Sequence, residues 1–169
     1  MYDVIIIGAG AAGLTAAVYT CRKKLKTAIL SIDVGGQTNL TSHIENYPGT
    51  GPMSGIELMQ RFQNEAVGFG AELIMGKAVK ADKTETGFEV TLANEESYEC
   101  KALILAYGKV PKSLGIPNED RFLGRGVSTC VTCDAPLYKN RDIAVVGGGN
   151  SAVEGALELA TIARKVYLV

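Results

Sequence analysis

Two stretches of the chain share one order of apolar and polar positions. Asp3-Val-Ile-Ile-Ile7 is a continuous β-branched run, as expected of a strand buried on both faces of a parallel sheet. It leads into Gly8-Ala-Gly-Ala-Ala-Gly13, after which Leu14, Ala17, Val18 and Cys21 recur at i, i+3, i+4 and i+7. That spacing predicts a helix with one apolar stripe toward the sheet, and it makes Cys21 a core residue. Asp142-Ile-Ala-Val-Val146 opens the same pattern again. A shift of 139 lays Gly8, Gly10 and Gly13 on Gly147, Gly149 and Ala152, and the helical stripe on Val153, Ala156, Leu157 and Ala160.

Between these repeats the pattern alternates. Thr27 to Ile32 reads as a second buried strand, with Asp33 twenty residues after Gly13. The stretches 34–39 and 44–49 are polar and glycine-bearing, so loops are expected there. Gly55 to Gly68 fits a helix with Ile56, Met59, Phe62 and Ala66 on its packed side. Short strands follow at 71–75, 78–81, 88–92 and 98–101, read as a small antiparallel ribbon serving as a crossover, with Cys100 structural. Ala102 to Ala106 is a further buried-strand run that Tyr107-Gly108 ends. Pro111 and Pro117 bracket an aperiodic linker, so two domains are expected, 1–112 and 113–169. The fold class is α/β: two Rossmann-like, three-layer nucleotide-binding units, the second truncated.

Composition narrows the partners. Lys+Arg 17 against Asp+Glu 18 leaves a net charge of -1, so nothing predicts the positive field of a nucleic-acid or membrane-surface binder. The run Val4 to Cys21 carries no charge and approaches the length of a membrane span, but Gly8, Gly10 and Gly13 divide it into strand, turn and helix. Four cysteines with irregular spacing make no secreted disulfide framework, and the cytoplasm is the expected compartment.

The glycines carry the first candidate chemistry. The first permits a sharp turn, the second lets backbone approach a pyrophosphate, and the third allows close helix packing. Asp33 is spaced to bind a ribose hydroxyl, and Gln37 and Asn46 are placed to bond a sugar-like chain. The second candidate is Ser128-Thr-Cys-Val-Thr-Cys-Asp-Ala-Pro136. Cysteines three apart close a short, reducible ring, and Asp134 follows as a proton partner. A zinc site would need a second ligand pair, whereas Cys21 and Cys100 are isolated and His43, a solvated or backbone-bonded loop residue, is the only histidine. Two nucleotide cradles flanking a redox CxxC imply two cofactors and a dithiol in series. Val169 aligns with Leu30, so the counterpart of Asp33 is missing, and the chain reads as a fragment of a longer enzyme or one completed by a partner.

The order GxGxxG, Gly35-Gly36-Gln37, Glu45-Asn-Tyr-Pro-Gly49, Cys130-x-x-Cys133-Asp134 and Gly147-Gly-Gly-Asn-Ser-Ala152 resembles low-molecular-weight thioredoxin reductase along essentially the whole chain. The resemblance implies FAD over Gly8, Gly10, Ala11, Ala12 and Gly13, with Ser31, Asp33, Gly35, Gly36, Gln37, Thr38 and Asn46 on its sugar and isoalloxazine side. Main chain at Ala78, Ala106, Tyr107 and Gly108 would lie close by. It implies NADPH at Gly147, Gly149, Asn150, Ser151 and Ala152. Cys133 would stand beside the flavin, Cys130 would attack the disulfide of thioredoxin, and Asp134 would protonate the leaving thiolate. A homodimer and a rotation about the 111–117 linker are implied too. Three positions depart from the family pattern: Ala11 replaces a proline, Tyr107 a threonine and Ala135 a glycine. Rival readings are a reductase serving a peroxidase component, one fed by ferredoxin, and a non-catalytic nucleotide-binding module.

Overall fold

The computed structural model describes every residue except Pro111, and within those all but the side chain of Cys133. Contacts divide the chain into two compact units, Met1–Lys109 and Val110–Val169.

In the first unit, strand β1 (Tyr2–Ala9) runs into helix α1 (Ala11–Arg22), then strand β2 (Thr27–Val34), a 3-10 turn (Gly36–Leu40) and helix α2 (Gly55–Gly68). Strands β3 (Glu72–Met75), β4 (Ala78–Lys83), β5 (Phe88–Leu92) and β6 (Ser97–Leu105) complete a six-stranded mixed sheet of order β3-β2-β1-β6-β5-β4. In β1, Val4, Ile5 and Ile6 are buried and Ile7 is half-buried, and β2 and β6 flank the strand, both parallel. On one face, Ile6 and Ile29 pack with Leu14, Ala17 and Cys21 of α1 and Ala66 of α2. On the other, Ile5, Ala28 and Leu30 pack with Val90, Leu92 and Cys100 from β5 and β6. Helices thus pack on one face of a mixed α/β sheet whose antiparallel strands share the core on the other face.

Four expectations need correction here. Residues 72–75 join the main sheet, parallel to β2, and do not belong to a ribbon. The separate strands expected at 98–101 and 102–106 are one strand: β6 pairs antiparallel with β5 through Cys100 and parallel with β1 from Cys100 to Leu105. Its later half is not fully buried, since Ala102 and Leu105 are exposed. In α2 the buried residues are Gly55, Leu58, Met59 and Ala66, while Ile56 is 60% exposed. The packed side is turned toward Gly55 and Leu58, one position earlier than expected, and Ile56, about 200° around the helix from Leu58, faces away from it.

The second unit holds helices α3 (Glu119–Phe122) and α4 (Val131–Asp134), a 3-10 turn (Ala135–Tyr138), strand β7 (Asp142–Val145), helix α5 (Asn150–Leu159) and strand β8 (Lys165–Leu168). β7 and β8 are parallel, which makes β7-α5-β8 a single crossover unit. The stripe expected on α5 is not what is buried: Gly155 and Leu159 are, whereas Val153 and Leu157 are exposed and Ala160 caps the helix. A small segment, α4, occupies the Gly155 side. Of the linker, Pro111 lies outside the described residues. Beyond it, Ser113 Oγ (2.6 Å) and the Leu114 and Gly115 amides (2.9 Å each) all donate to the Glu119 carboxylate, so 113–119 is a tied loop. Among the described residues no helix is long and apolar enough to cross a membrane.

Candidate functional site

The first cradle is built from backbone. Gly8 has φ +107, a conformation side chains rarely adopt, and a Cβ there would stand 2.3 Å from the carbonyl oxygen of Ala106. Gly13 lets α1 cross the turn, since its Cβ would fall 1.8 Å from Gly8 O. Gly10 is different: nothing lies within 4 Å of its Cβ position, and it caps α1 without any side-chain hydrogen bond. The first-turn amides of Ala11, Ala12 and Gly13 are therefore presented to an open space, which is what a pyrophosphate on a helix N-terminus requires.

Neighbouring strands bring the other candidates to the same end of the sheet. Ala106 N–H donates to Ile7 O at 2.8 Å, which places Ala106, Tyr107 and Gly108 against the Gly8 turn, with Tyr107 71% exposed. Gly35 N–H reaches Ala9 O at 2.8 Å, and Gly35 takes φ +99. Ser31 is buried, its hydroxyl accepting from Ala9 N–H at 3.1 Å, so its side chain fastens β1 to β2. Ser31 O accepts from Gly76 N–H at 2.8 Å, and Ala78 begins β4 two residues later. Asp33, next to last in β2, is exposed, and Gln37 is exposed on the 3-10 turn. A cleft of about 510 Å³ runs beside the first turn of α1, bordered by Ala11, Ala12, Thr38 and Asn46 and floored by Leu58 and Met59.

Two contributors carry little mark in the sequence. Asn39 Nδ2 donates to Val34 O at 2.7 Å, and its side chain packs where a Gly35 Cβ would go. Asparagine in a polar turn is its only signal. Thr15 also borders the cleft, one residue beyond the glycine motif and its first helical neighbour. The residues present therefore fit a dinucleotide: a backbone cradle, a polar rim and an apolar floor. His43, expected to be solvated or bonded to backbone, is exposed on the loop and lies 3.4 Å from Oε2 of the exposed Glu45.

The second unit repeats the cradle. Gly147 has φ +135, Gly149 is extended and caps α5 without a side chain, and Asn150 and Ser151 are exposed in the first turn beside Ala152. The repeat includes an acid at each strand start. Asp3 takes the Lys101 ammonium at 2.7 Å and the Lys26 amide at 2.9 Å, while Asp142 binds Arg164 through two contacts of 2.7 Å. Lys101 holds the Asp3 carboxyl below the usual carboxylate range, and Arg164 does the same for Asp142.

In the same unit, α4 begins directly after Cys130, whose sulfur is in a disulfide. The side chain of Cys133 lies outside the described residues. Val131 packs on Gly155 of α5, where a Cβ would stand 2.8 Å from Val131 Cγ2. A mid-helix glycine costs about 1 kcal/mol against alanine, and here it gives α4 its seat on α5. Asp134 N–H donates to Cys130 O at 3.1 Å, and the Ser128 hydroxyl donates to Asp134 Oδ2 at 2.6 Å. Among the described residues no group of His, Cys, Asp and Glu could hold a metal.

Residues 2–169 match the pyridine nucleotide-disulphide oxidoreductase family. The thioredoxin reductase of Treponema pallidum is 41% identical over 170 residues, covering 99% of this chain and 55% of its own length. An alkyl hydroperoxide reductase component of Staphylococcus epidermidis is 40% identical over 168 residues, with 99% of this chain and 33% of that protein covered. The crystal structure of thioredoxin reductase from Streptococcus pyogenes superposes with a TM-score of 0.83 at 42% identity, over 99% of this chain and 55% of that one. The chain thus spans about half the length of the thioredoxin reductases it matches. Glycine cradle, repeated crossover and cysteine-aspartate segment agree with the match over its full extent: the chain belongs to the pyridine nucleotide-disulphide oxidoreductase family.

Proposed function

We propose that this chain is the nucleotide- and dithiol-bearing part of a thioredoxin reductase, with 1–112 as the FAD side and 113–169 as the NADPH and dithiol side. The observation that carries the reading is the second glycine turn, which shares one compact unit with the disulfide-bonded Cys130 and with Asp134. When bound, FAD supplies a two-electron carrier between NADPH and the dithiol.

The remaining work falls to this chain's own residues. Gly8, Gly10, Ala11, Ala12 and Gly13 hold one pyrophosphate by backbone amides, and Gly147, Gly149, Asn150, Ser151 and Ala152 hold the other. Asp33 and Asn46 orient the sugars, while Gly35, Gly36, Gln37 and Thr38 line the cofactor's path along the cleft. The main chain at Ser31, Ala78, Ala106, Tyr107 and Gly108 closes the sheet end around it. In the reduced state the Cys130 thiolate attacks the thioredoxin disulfide, Cys133 resolves the mixed disulfide, and Asp134 gives its proton to the departing sulfur. The likeness to the alkyl hydroperoxide reductase component supports a second reading with the same chemistry, in which a peroxidase component accepts the electrons.

Purified chain supplied with FAD is expected to show a flavin band that bleaches on anaerobic addition of NADPH, with two new thiols per chain. Cys130→Ser is expected to abolish the new thiols while the band is retained. A chain that takes up no flavin, or whose flavin bleaches without any gain in thiols, overturns the proposal. Thioredoxin and a peroxidase component offered separately as acceptors decide between the two readings.

A further inference from the structure

We infer that Ser128 is the positioning residue for Asp134, an inference that rests on reading Asp134 as the acid of the dithiol exchange. The Ser128 hydroxyl oxygen lies 2.6 Å from Asp134 Oδ2 and 3.2 Å from Cys130 O, and it accepts from Cys130 N–H at 3.1 Å. A hydroxyl has one proton to give. The carboxylate takes it, because a bond to an ionised acceptor is the shorter and stronger of the two.

A line of hydrogen bonds therefore runs from the Cys130 amide through the Ser128 hydroxyl to the Asp134 carboxyl. The Asp134 amide returns to Cys130 O at 3.1 Å. Both the backbone and one carboxyl oxygen of Asp134 are thus tied to the attacking cysteine. With Oδ2 engaged, Oδ1 is the oxygen left to carry a proton toward sulfur.

Atoms and electrons balance through two steps. The Cys130 thiol gives its proton to the Asp134 carboxylate and the resulting thiolate bonds to one sulfur of a disulfide; the old S–S bond breaks, and its electron pair leaves on the other sulfur, which takes that proton from Asp134 and departs as a thiol. The Cys133 thiol then closes on Cys130 and releases the second sulfur, its own proton going to that sulfur. The chain loses two electrons and two protons, and the disulfide gains them. A hydroxyl that merely shaped the turn would affect every such exchange alike. One that aims the acid matters only where the leaving sulfur needs a proton.

The test uses the full chain, reduced and freed of reductant, reacted with two disulfides. Glutathione disulfide releases a basic alkyl thiolate, whereas 5,5′-dithiobis(2-nitrobenzoate) releases an aryl thiolate that is stable unprotonated. Ser128→Ala is expected to slow the glutathione reaction about three- to tenfold and leave the aryl reaction unchanged. Ser128→Thr is expected to restore most of the rate, and Ser128→Ala is expected to add nothing to Asp134→Asn. Should Ser128→Ala not fold, Ser128→Thr against Ser128→Val makes the same comparison. Equal slowing with both disulfides, or a full further loss on top of Asp134→Asn, overturns the inference. If Ser128→Ala is silent while Asp134→Asn slows the glutathione reaction, the inference fails alone. If Asp134→Asn is silent too, the reading of Asp134 as the acid fails with it.

Discussion

At Gly13 a Cβ would stand 1.8 Å from the carbonyl oxygen of Gly8, whereas at Gly10 it would meet nothing within 4 Å. The two glycines of one motif thus differ: the fold leaves no room for a side chain at Gly13, and nothing in the chain bars one at Gly10. Gly13→Ala has no flexible neighbour to displace, and a loss of about 1–3 kcal/mol is expected from the forced backbone shift. On the proposed reading, Gly10→Ala is expected to melt within about a degree or two of the parent and yet to bind FAD at least about tenfold more weakly, because the added methyl would enter the space proposed for the pyrophosphate. Thermal melts paired with flavin titration check this; equal melting of the two variants would sink it. Much at this scale is legible in the sequence. Gly8, Gly10, Gly13, Cys21 and Cys100 can be placed from spacing alone, since period and turn chemistry act locally. Ser128, Asn39 and Gly155 cannot, because each acts by touching a residue that only the folded chain brings near.

Helix α2 begins with a reciprocal cap. Ser54 Oγ accepts from Glu57 N–H at 3.2 Å, and the Glu57 carboxylate accepts from Ser54 N–H at 2.8 Å. This helix carries Leu58 and Met59 into the floor of the cleft, so its register matters to the site. Ser54→Ala is expected to cost about 1 kcal/mol in denaturant unfolding, with Ser54→Asp close to the parent. The Ser54 amide, followed by its hydroxyl, holds the Glu57 carboxyl below its usual range. A pKa depressed by folding contributes stability above the ordinary carboxylate range and loses it as pH falls through the lowered value. The deficit of Ser54→Ala is therefore expected to shrink in acid, and a constant deficit would contradict the cap. The helix itself is legible from its period, and Ser-x-x-Glu is a start signal. Its inward face is not, because two candidate stripes, one through Ile56 and one through Leu58, share Met59 and Phe62, and only the position of the sheet chooses between them.

Across the whole molecule, burial is distributed unevenly. Ile5, Ile6, Ile29, Leu30, Val90 and Leu92 are closed off in the first unit, whereas Ala135, Gly155 and Leu159 are the buried positions among the described residues of the second. Local opening follows the apolar contacts that oppose it. Hydrogen exchange is therefore expected to be slowest in β1 and β2 and to reach β7, α5 and β8 far sooner; equal protection in the two units would refute this. The repeat at a shift of 139 is legible, down to the positive φ shared by Gly8 and Gly147. The route of residues 71–106 is not, since short strands of like character carry no mark of which neighbour each will take. In β6 that ambiguity is settled at Cys100, which sits opposite Tyr2 on one side and Phe88 on the other. A slip of a single residue anywhere between 97 and 105 would turn inside out both the hairpin sewn to one edge and the parallel strands sewn to the other. That seam leaves this stretch of chain no room for insertions, however freely the loops around it change length.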